Sequence, residues 1–335
     1  MGVHTRIARA PYADIRAVGI PRALLYYRYG AFWKAFFEAI GRKVVVSEPS
    51  NLAIFEEGQE ASVDETCLVA KLYLGHVLEL LDREDAPDAI YVSGIANEGR
   101  WHTYCTKFQA LPDVVSNALY ERNPRIISTF VEEQESGVTA EKTYVEFALK
   151  FGVSKKEAKA AWKTALKAQQ AHDGVLARAQ ENLVTAQAKL PEDKRPITIL
   201  VAAHPYVLHD PFVGGPVIDA LRRAGVTVLF SNETDHKTAY KKSYEFSSSM
   251  PWVVNREIVG SVLSLFDHVD GIVLMSAYPC GPDSMTDDAI SRRIHGKPLL
   301  MLTVDAQSGT AGVETRIESF VDILTYQKRG GYLHE

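Results

Sequence analysis

The feature that most constrains the fold is an alternation of short apolar runs with longer segments of helical periodicity. In the first third of the chain, strand-type runs occupy residues 15–21, 42–49 and 86–95. A segment with apolar residues at helical spacing occupies residues 23–41, and Ser62, followed by a glutamate three residues later, is typical of the start of another helix. The order β-α-β-α-β predicts a parallel sheet with helices packed on its faces.

The same alternation returns after residue 195. Its strand-type runs are residues 197–205, 226–232, 270–279 and 297–305. Helical segments rich in alanine, arginine and isoleucine separate several of these runs. The pattern predicts a second domain with the architecture of the first.

Residues 131–192, between the two alternating regions, favour helix and show no strand-type run. The segment is rich in alanine, lysine, glutamate and glutamine, which are strong helix formers. Ser154 is a plausible N-cap, and the segment fits one long helix or two helices broken near Asp173 and Gly174. We therefore predict an α/β protein with two doubly wound, Rossmann- or flavodoxin-like parallel-sheet domains. A helical segment connects them.

The predicted domain bounds follow the cysteines. Residues 1–130 form an N-terminal domain that carries Cys67 and Cys105, residues 131–195 form the helical segment, and residues 196–335 form a C-terminal domain that carries Cys280. A chain of 335 residues has the length of two such domains.

Composition excludes several classes of protein. The net charge of −5 and the pI of about 6.1 argue against a basic surface for nucleic acid. No apolar run is long enough to cross a bilayer, and the first residues contain no apolar core of a secretory signal. The expected location is cytoplasmic.

The chain has three cysteines, which is few for a disulfide framework, and an odd number cannot pair completely. Free thiols are therefore expected. Cys67 is predicted in the first turn of a helix, Cys105 in the stretch after a strand, and Cys280 directly beyond the carboxyl end of another strand. Ligands of open α/β sheets bind beyond the carboxyl ends of the strands, and helix starts stabilise thiolates.

Spacing alone leaves three alternatives open for the cysteines. They could be buried structural thiols, which is the commonest role of free cysteine. They could gather one iron–sulfur cluster from distant loops, since no C-x2-C pair is present. They could also hold structural zinc together with His102 or His204.

Six sequence motifs in order resemble one family. They are VGIPRALLYYRYGAFWKAFFEAIG with VVVSEPSN, SVDETCLVAKLYLGHV, TYCTKFQALPDVV, LVAAHPYVLHDPFVGGPV, YPCGPDSMTD and VDAQSGTAGVETRIESFVD. Together they resemble the D-component family of 2-hydroxyacyl-CoA dehydratases, in particular its activase-related branch. The chain departs from the branch at Ala203-His204, where glycine and arginine are frequent, and at Val207, where histidine is frequent.

The resemblance implies a cofactor, a reaction and partners. Cys67, Cys105 and Cys280 would hold one [4Fe–4S] cluster per chain, with one iron left without a protein thiolate. The chain would accept a low-potential electron from an ATP-dependent activase, an ASKHA-type iron–sulfur ATPase, and carry out radical dehydration or reduction, with an acyl-CoA as the expected substrate. A homodimer, or a heterodimer with a related subunit, is also expected. Because no P-loop pattern is present, ATP hydrolysis is expected from the activase partner.

Four further residues are candidates for this site. Ser93, His204 and Tyr206 are predicted as catalytic residues near strand ends, where they could contact substrate or deliver a proton. Gly281 is predicted to let the backbone approach the cluster. The alternative to an enzyme is an accessory protein that transfers electrons or delivers a cluster with the same cysteines and no substrate.

Overall fold

The computed structural model describes residues 10–99, 102–305 and 310–330. Within them the chain forms two four-stranded sheets, all parallel, with helices on their faces. The α/β class with two Rossmann-like sheets is therefore confirmed. None of the described helices combines the length and the apolar character that crossing a membrane requires.

The strands are β1 (Ala17–Ile20), β2 (Lys43–Val46), β3 (Ala89–Asn97), β4 (Ile126–Glu132), β5 (Thr198–Ala202), β6 (Thr227–Phe230), β7 (Gly271–Ala277) and β8 (Leu299–Val304). The helices are α1 (Tyr26–Ala39), α2 (Leu52–Glu60), α3 (Leu68–Asp82), α4 (Thr106–Gln109), α5 (Leu111–Ala118), α6 (Ala140–Leu149), α7 (Lys155–Ala188), α8 (Pro205–Leu208), α9 (Gly215–Arg223), α10 (His236–Lys242), α11 (Val253–Leu265), α12 (Gly281–Arg293) and α13 (Thr310–Lys328).

Two compact units contain these elements. The first unit comprises the described residues up to Pro21, Tyr29–Ser47 and Val77–Gln170. The second unit comprises Arg22–Arg28, Glu48–His76 and the described residues from Ala171 onward. Each unit is assembled from separate stretches of sequence, and the contiguous bounds 1–130, 131–195 and 196–335 stay a prediction.

The sheet of the first unit has the strand order β2–β1–β3–β4. Its core is aromatic. Phe36, Phe37 and Tyr91 are buried, and the ring of Tyr91 lies 5.1 Å from that of Phe37, edge to face. The aromatic residues of α1 from Phe32 onward thus serve packing, because edge-to-face ring pairs add to the free energy of burial.

The sheet of the second unit has the equivalent order β6–β5–β7–β8. Its two central strands, β5 and β7, are buried along their whole length. Strands that are covered on both faces read as continuous apolar runs, which is why the sequence predicted them well.

Two elements, β4 and α3, differ from the sequence-based expectation, and a third, α7, decides between two stated alternatives. Strand β4 was not predicted, although it pairs with β3 in parallel register. Helix α3 begins at Leu68, because the residues after Ser62 form turns in place of the predicted capping box. Helix α7 is one continuous helix with no break at Gly174, and the predicted cap at Ser154 is present.

A glycine pair brings α2 and α3 close together within the second unit. A Cβ atom at Gly58 would collide with the backbone oxygen of Lys71, and one at Gly75 would collide with that of Ile54. Only glycine permits so close an approach of two helix backbones. The crossing fixes α3, whose amino end carries Cys67.

Candidate metal centre

Two residues follow the central strands of the second unit. β5 ends at Ala202 and β7 at Ala277, and the strands that continue the chain, β6 and β8, lie on opposite sides of this pair. Ligands of open α/β sheets bind beyond the carboxyl ends of the strands at such a topological switch point. His204 and Cys280 lie there, two and three residues beyond their strands.

Cys280 is the residue directly before α12. Its carbonyl oxygen accepts bonds from the backbone N–H of Ser284 at 3.1 Å and from the Ser284 hydroxyl at 2.8 Å. The helix starts at Gly281. Cys280 thus occupies the N-cap position of α12, where free N–H groups stabilise negative charge.

Cys67 occupies the equivalent position before α3. Its carbonyl oxygen accepts bonds from the N–H groups of Ala70 and Lys71. The next N–H, that of Leu68, donates to the carbonyl oxygen of Tyr278 at 3.0 Å. This bond joins the loop of Cys67 to the loop of Cys280. Both loops belong to the second unit.

Cys105 lies in the first unit. It follows β3 after a short excursion that is fixed by an antiparallel bridge between Asn97 and Thr103. It is also the residue directly before a helix, α4, and its carbonyl oxygen accepts a bond from Phe108 at 2.9 Å. All three cysteines therefore stand at helix starts, a shared feature that the sequence predicted for Cys67 alone.

A buried pair supports the site beside Cys280. His204 Nε2 lies 2.8 Å from Asp283 Oδ1, and the two side chains are 6% and 5% exposed. Asn255, which is also buried, donates to the same Asp283 oxygen at 3.0 Å and to Thr286 Oγ1 at 3.0 Å. Two buried polar atoms of the pair, His204 Nδ1 and Asp283 Oδ2, have no hydrogen-bond partner among the described residues.

The carboxylates give the site a negative potential. Burial acts to raise the pKa of Asp283, but His204 and Asn255 more than offset it, so the pKa lies below its usual value. Burial and the charge of Asp283 raise the pKa of Asp287 to about 8. Burial, Asp283 and the neighbouring Cys67 raise the pKa of the Cys280 thiol. A cation bound here would counter the raised pKa values of Asp287 and Cys280, because positive charge favours the ionised forms.

Donor atoms of three residues converge. One ligand atom each of His204, Cys280 and Asp283 lies within 4.8 Å of the other two. Gly281, directly after Cys280, has open space on its Cβ side: apart from its chain neighbours and its own helix, no atom of the described residues lies within 4 Å. The approach of a bound group to the backbone at Gly281 stays a prediction.

The remaining predicted residues lie in different places. Tyr206 is in α8, and its ring stacks on that of His204 at a centroid distance of 4.8 Å. Ser93 lies inside β3, buried in the first unit, four residues before the strand ends. Its predicted contact with substrate stays a prediction. His102 also belongs to the first unit.

Sequence reasoning missed two residues of the site. Asp283 was visible three positions after Cys280, but it was not assigned a role. Asn255 belongs to a run of three buried polar residues, 255–257, within α11. No pattern in the sequence distinguished it from its polar neighbours.

The fold and the site define a Rossmann-like α/β protein with cysteines at three helix starts and a buried histidine–aspartate pair. The chain belongs to the family described as CoA enzyme activase uncharacterised domain (DUF2229), whose model matches residues 17–233. This family fits, at a coarse level, the activase-related family that the six motifs resemble. A comparison with curated proteins finds no match.

Solved structures show only distant similarity. A periplasmic metal binding protein from Candidatus Liberibacter asiaticus is 11% identical, with 92% of this chain and 100% of that chain covered and a TM-score of 0.24. The C-terminal domain of glucosamine-fructose-6-phosphate aminotransferase from Francisella tularensis is 11% identical, with 96% and 86% covered and a TM-score of 0.23. Glucosamine-6-phosphate deaminase from Thermotoga maritima is 8% identical, with 97% and 88% covered and a TM-score of 0.22. TM-scores this low carry no functional argument.

Proposed function

We propose that the chain is an iron–sulfur protein of the 2-hydroxyacyl-CoA dehydratase D-component type. Cys67, Cys105 and Cys280 would hold one [4Fe–4S] cluster, and an ATP-dependent activase would donate a low-potential electron. The reaction would be a reductive dehydration or reduction of a small substrate, with an acyl-CoA thioester as the first candidate.

The observation that carries the proposal is the common position of the three cysteines. Each is the residue directly before a helix, namely α3, α4 and α12. Thiolates and cluster sulfides are anionic, and the free N–H groups of a helix start stabilise anions. A merely structural role for free cysteine requires burial but no such repeated position, and all three side chains are only half-buried.

The local chemistry also fits a cluster. The hydrogen bond from Leu68 to Tyr278 draws two of the three cysteine loops together. The open Cβ side of Gly281 leaves space next to Cys280. A cluster held by three thiolates supplies one-electron transfer and one iron that is free for an oxygen ligand.

His204 has a role of its own in this proposal. Its Nε2 faces Asp283 Oδ1, and this contact fixes the plane of the imidazole ring against Tyr206. A histidine oriented by a carboxylate can hold a proton for transfer to a bound substrate. Tyr206 would then hold the ring in place by stacking.

One observation favours an alternative function. A ring nitrogen of His204 lies within 4.8 Å of the Cys280 sulfur, close enough for His204 to serve as a fourth protein ligand. A cluster with four protein ligands has no open iron. Such a protein would carry electrons or deliver clusters, with no substrate of its own.

The first experiment measures the cofactor. The chain is purified anaerobically, iron and sulfide are determined, and visible and EPR spectra are recorded. We expect about four irons per chain for a [4Fe–4S] cluster, and their loss in Cys67→Ala, Cys105→Ala and Cys280→Ala alike. Ser154→Ala, remote in sequence, is the handling control. An iron-free protein, or a cysteine variant with full iron content, contradicts the proposal.

The second experiment separates enzyme from carrier. The reduced protein is mixed with candidate acyl-CoA thioesters, an activase and ATP. A substrate-dependent change in the EPR spectrum together with product formation supports the enzyme. Electron transfer to an acceptor protein without any response to thioesters supports the carrier. Light scattering on the same samples tests the expected dimer.

A further inference from the structure

We propose that His204, Cys280 and Asp283 form a binding site for a single divalent transition-metal ion, located wholly in the second unit. This site does not depend on the proposed cluster. It needs neither Cys105 nor inorganic sulfide, and an ion would occupy it when no cluster is bound.

The distances between donor atoms fit one ion. The three ligand atoms lie within 4.8 Å of one another. Zinc binds sulfur, nitrogen and oxygen at about 2.0 to 2.3 Å, so donor atoms this close need only small side-chain movements to reach a common ion. Three protein ligands would leave the fourth tetrahedral position for water.

The donors are held before any ion binds. His204 and Asp283 are 5% and 4% exposed, and Asn255, 1% exposed, donates to Asp283 at 3.0 Å. Side chains buried this deeply keep their positions, since repacking them would disturb the core around them. Metal sites typically have such outer partners, which orient the ligands by hydrogen bonds.

Unpartnered atoms are the independent sign of a ligand. His204 Nδ1 and Asp283 Oδ2 are buried and accept or donate no hydrogen bond within the part of the chain that the structure describes. Leaving a buried polar atom unpaired costs roughly 1–3 kcal/mol. An internal salt bridge alone would satisfy His204 and Asp283 through Nε2 and Oδ1, and would leave these two atoms unexplained. A metal ion would use this remaining capacity.

The donor set selects the class of ion. Sulfur, imidazole nitrogen and carboxylate oxygen together suit zinc, cobalt and ferrous ions, whereas magnesium and calcium prefer all-oxygen sites. Binding would replace the proton of the Cys280 thiol by the metal, with release of that proton.

Cobalt(II) is the probe that tests the site, because a cobalt–thiolate bond absorbs in the near ultraviolet and tetrahedral cobalt absorbs in the visible. The full chain is stripped of metal anaerobically and titrated with CoCl₂. We expect one cobalt per chain with a thiolate charge-transfer band. Zinc chloride should displace it.

Five variants decide the outcome. Cys280→Ser should abolish the charge-transfer band, and the near-isosteric Asp283→Asn and His204→Gln should each weaken cobalt binding at least tenfold. Cys105→Ser should bind cobalt as the parent does, and the exposed His172→Gln controls for surface imidazoles. Circular dichroism confirms that each variant is folded.

Several results would contradict the proposed metal site. A band that persists in Cys280→Ser, or one that disappears in Cys105→Ser, overturns the site. If both Asp283→Asn and His204→Gln bind cobalt with the affinity of the parent, the Cys280 thiol binds cobalt without His204 and Asp283. This result also overturns the site. Cobalt binding with no iron–sulfide content contradicts only the cluster, and a cluster without cobalt binding contradicts only this site.

Discussion

The backbone N–H of Leu68 donates to the carbonyl oxygen of Tyr278 at 3.0 Å. The two residues are far apart in sequence, but Leu68 directly follows Cys67 and Tyr278 lies two positions before Cys280. The bond thus determines how close the loops of Cys67 and Cys280 lie, and it involves no side chain.

Leu68→Pro removes this N–H at a position where proline suits a helix. Leu68 is the first residue of α3, and proline is favoured at the first helical position. We expect the variant to fold but to lose most of its iron after anaerobic purification, because the two loops are no longer joined. Iron and sulfide analysis measures the loss.

Leu68→Ala is the matched control for this change. It keeps the N–H and removes a buried side chain that is only 3% exposed. It should lower the free energy of unfolding by about 2–5 kcal/mol while keeping the iron content of the folded fraction. Equal iron in the two variants would show that the backbone bond does not position the site.

Gly281→Ala tests whether a group binds beside Cys280. Because no described atom lies within 4 Å of the added Cβ, the iron-free protein should unfold at the same temperature as the parent. With a cluster bound, the methyl group would compete for the same space. We expect reduced iron content at unchanged stability of the iron-free form.

Gly58→Ala is the contrasting variant. Its Cβ would collide with the backbone oxygen of Lys71 in the crossing of α2 and α3. It should lower the melting temperature of the iron-free protein, which Gly281→Ala should not. A Gly281→Ala protein with full iron content would argue against any bound group at this position.

A cap at the start of α7 allows a direct stability measurement. Ser154 Oγ accepts from the N–H of Glu157 at 3.2 Å, and Glu157 Oε2 accepts from the N–H of Ser154 at 2.7 Å. Ser154→Ala should cost about 1 kcal/mol, measured as a lower urea midpoint. Ser116→Ala, an exposed serine within α5, should cost less, because alanine favours helix interiors. Equal losses in both variants would contradict the cap.

Local patterns in the sequence were sufficient for the strands and for part of the site. The runs at β5 and β7 are apolar throughout, so the strand ends, and with them His204 and Cys280, could be located in advance. The cap at Ser154 has an equally local signature. Each of these predictions depends on residues only a few positions apart.

Features set by distant partners could not be predicted. β4 is different: its sequence, IISTFVE, is rich in β-branched residues, and alternate residues, Ile127, Thr129 and Val131, are buried, so a strand signal was present and was overlooked. The grouping of Cys67 with Cys280 in one unit depends on a backbone bond and on a glycine crossing. Neither leaves a pattern within one stretch of sequence. The pairing of Asn255 with Asp283 is hidden for the same reason.

A buried ion pair in the second unit predicts a pH dependence of stability. Glu257 accepts two hydrogen bonds from Arg28, at 2.5 and 2.8 Å, and lies 3.2 Å from His236 Nδ1. Burial opposes ionisation of Glu257, but Arg28 and His236 overcome it and lower its pKa from 4.5 to about 2. The ionised form is therefore favoured in the folded state.

The lowered pKa of Glu257 determines how the stability of the fold changes with pH. The stabilisation is fully present above pH 4.5 and is lost as the pH falls through about 2. A shift of this size corresponds to about 3 kcal/mol.

Urea unfolding of the iron-free protein between pH 5 and pH 2 should show a falling midpoint, and Glu257→Gln should flatten this fall while lowering stability at pH 5. Glu318→Gln, which changes an exposed carboxylate of the same unit, should leave the slope as it is. An unchanged slope in Glu257→Gln would show that other carboxylates cause the acid sensitivity.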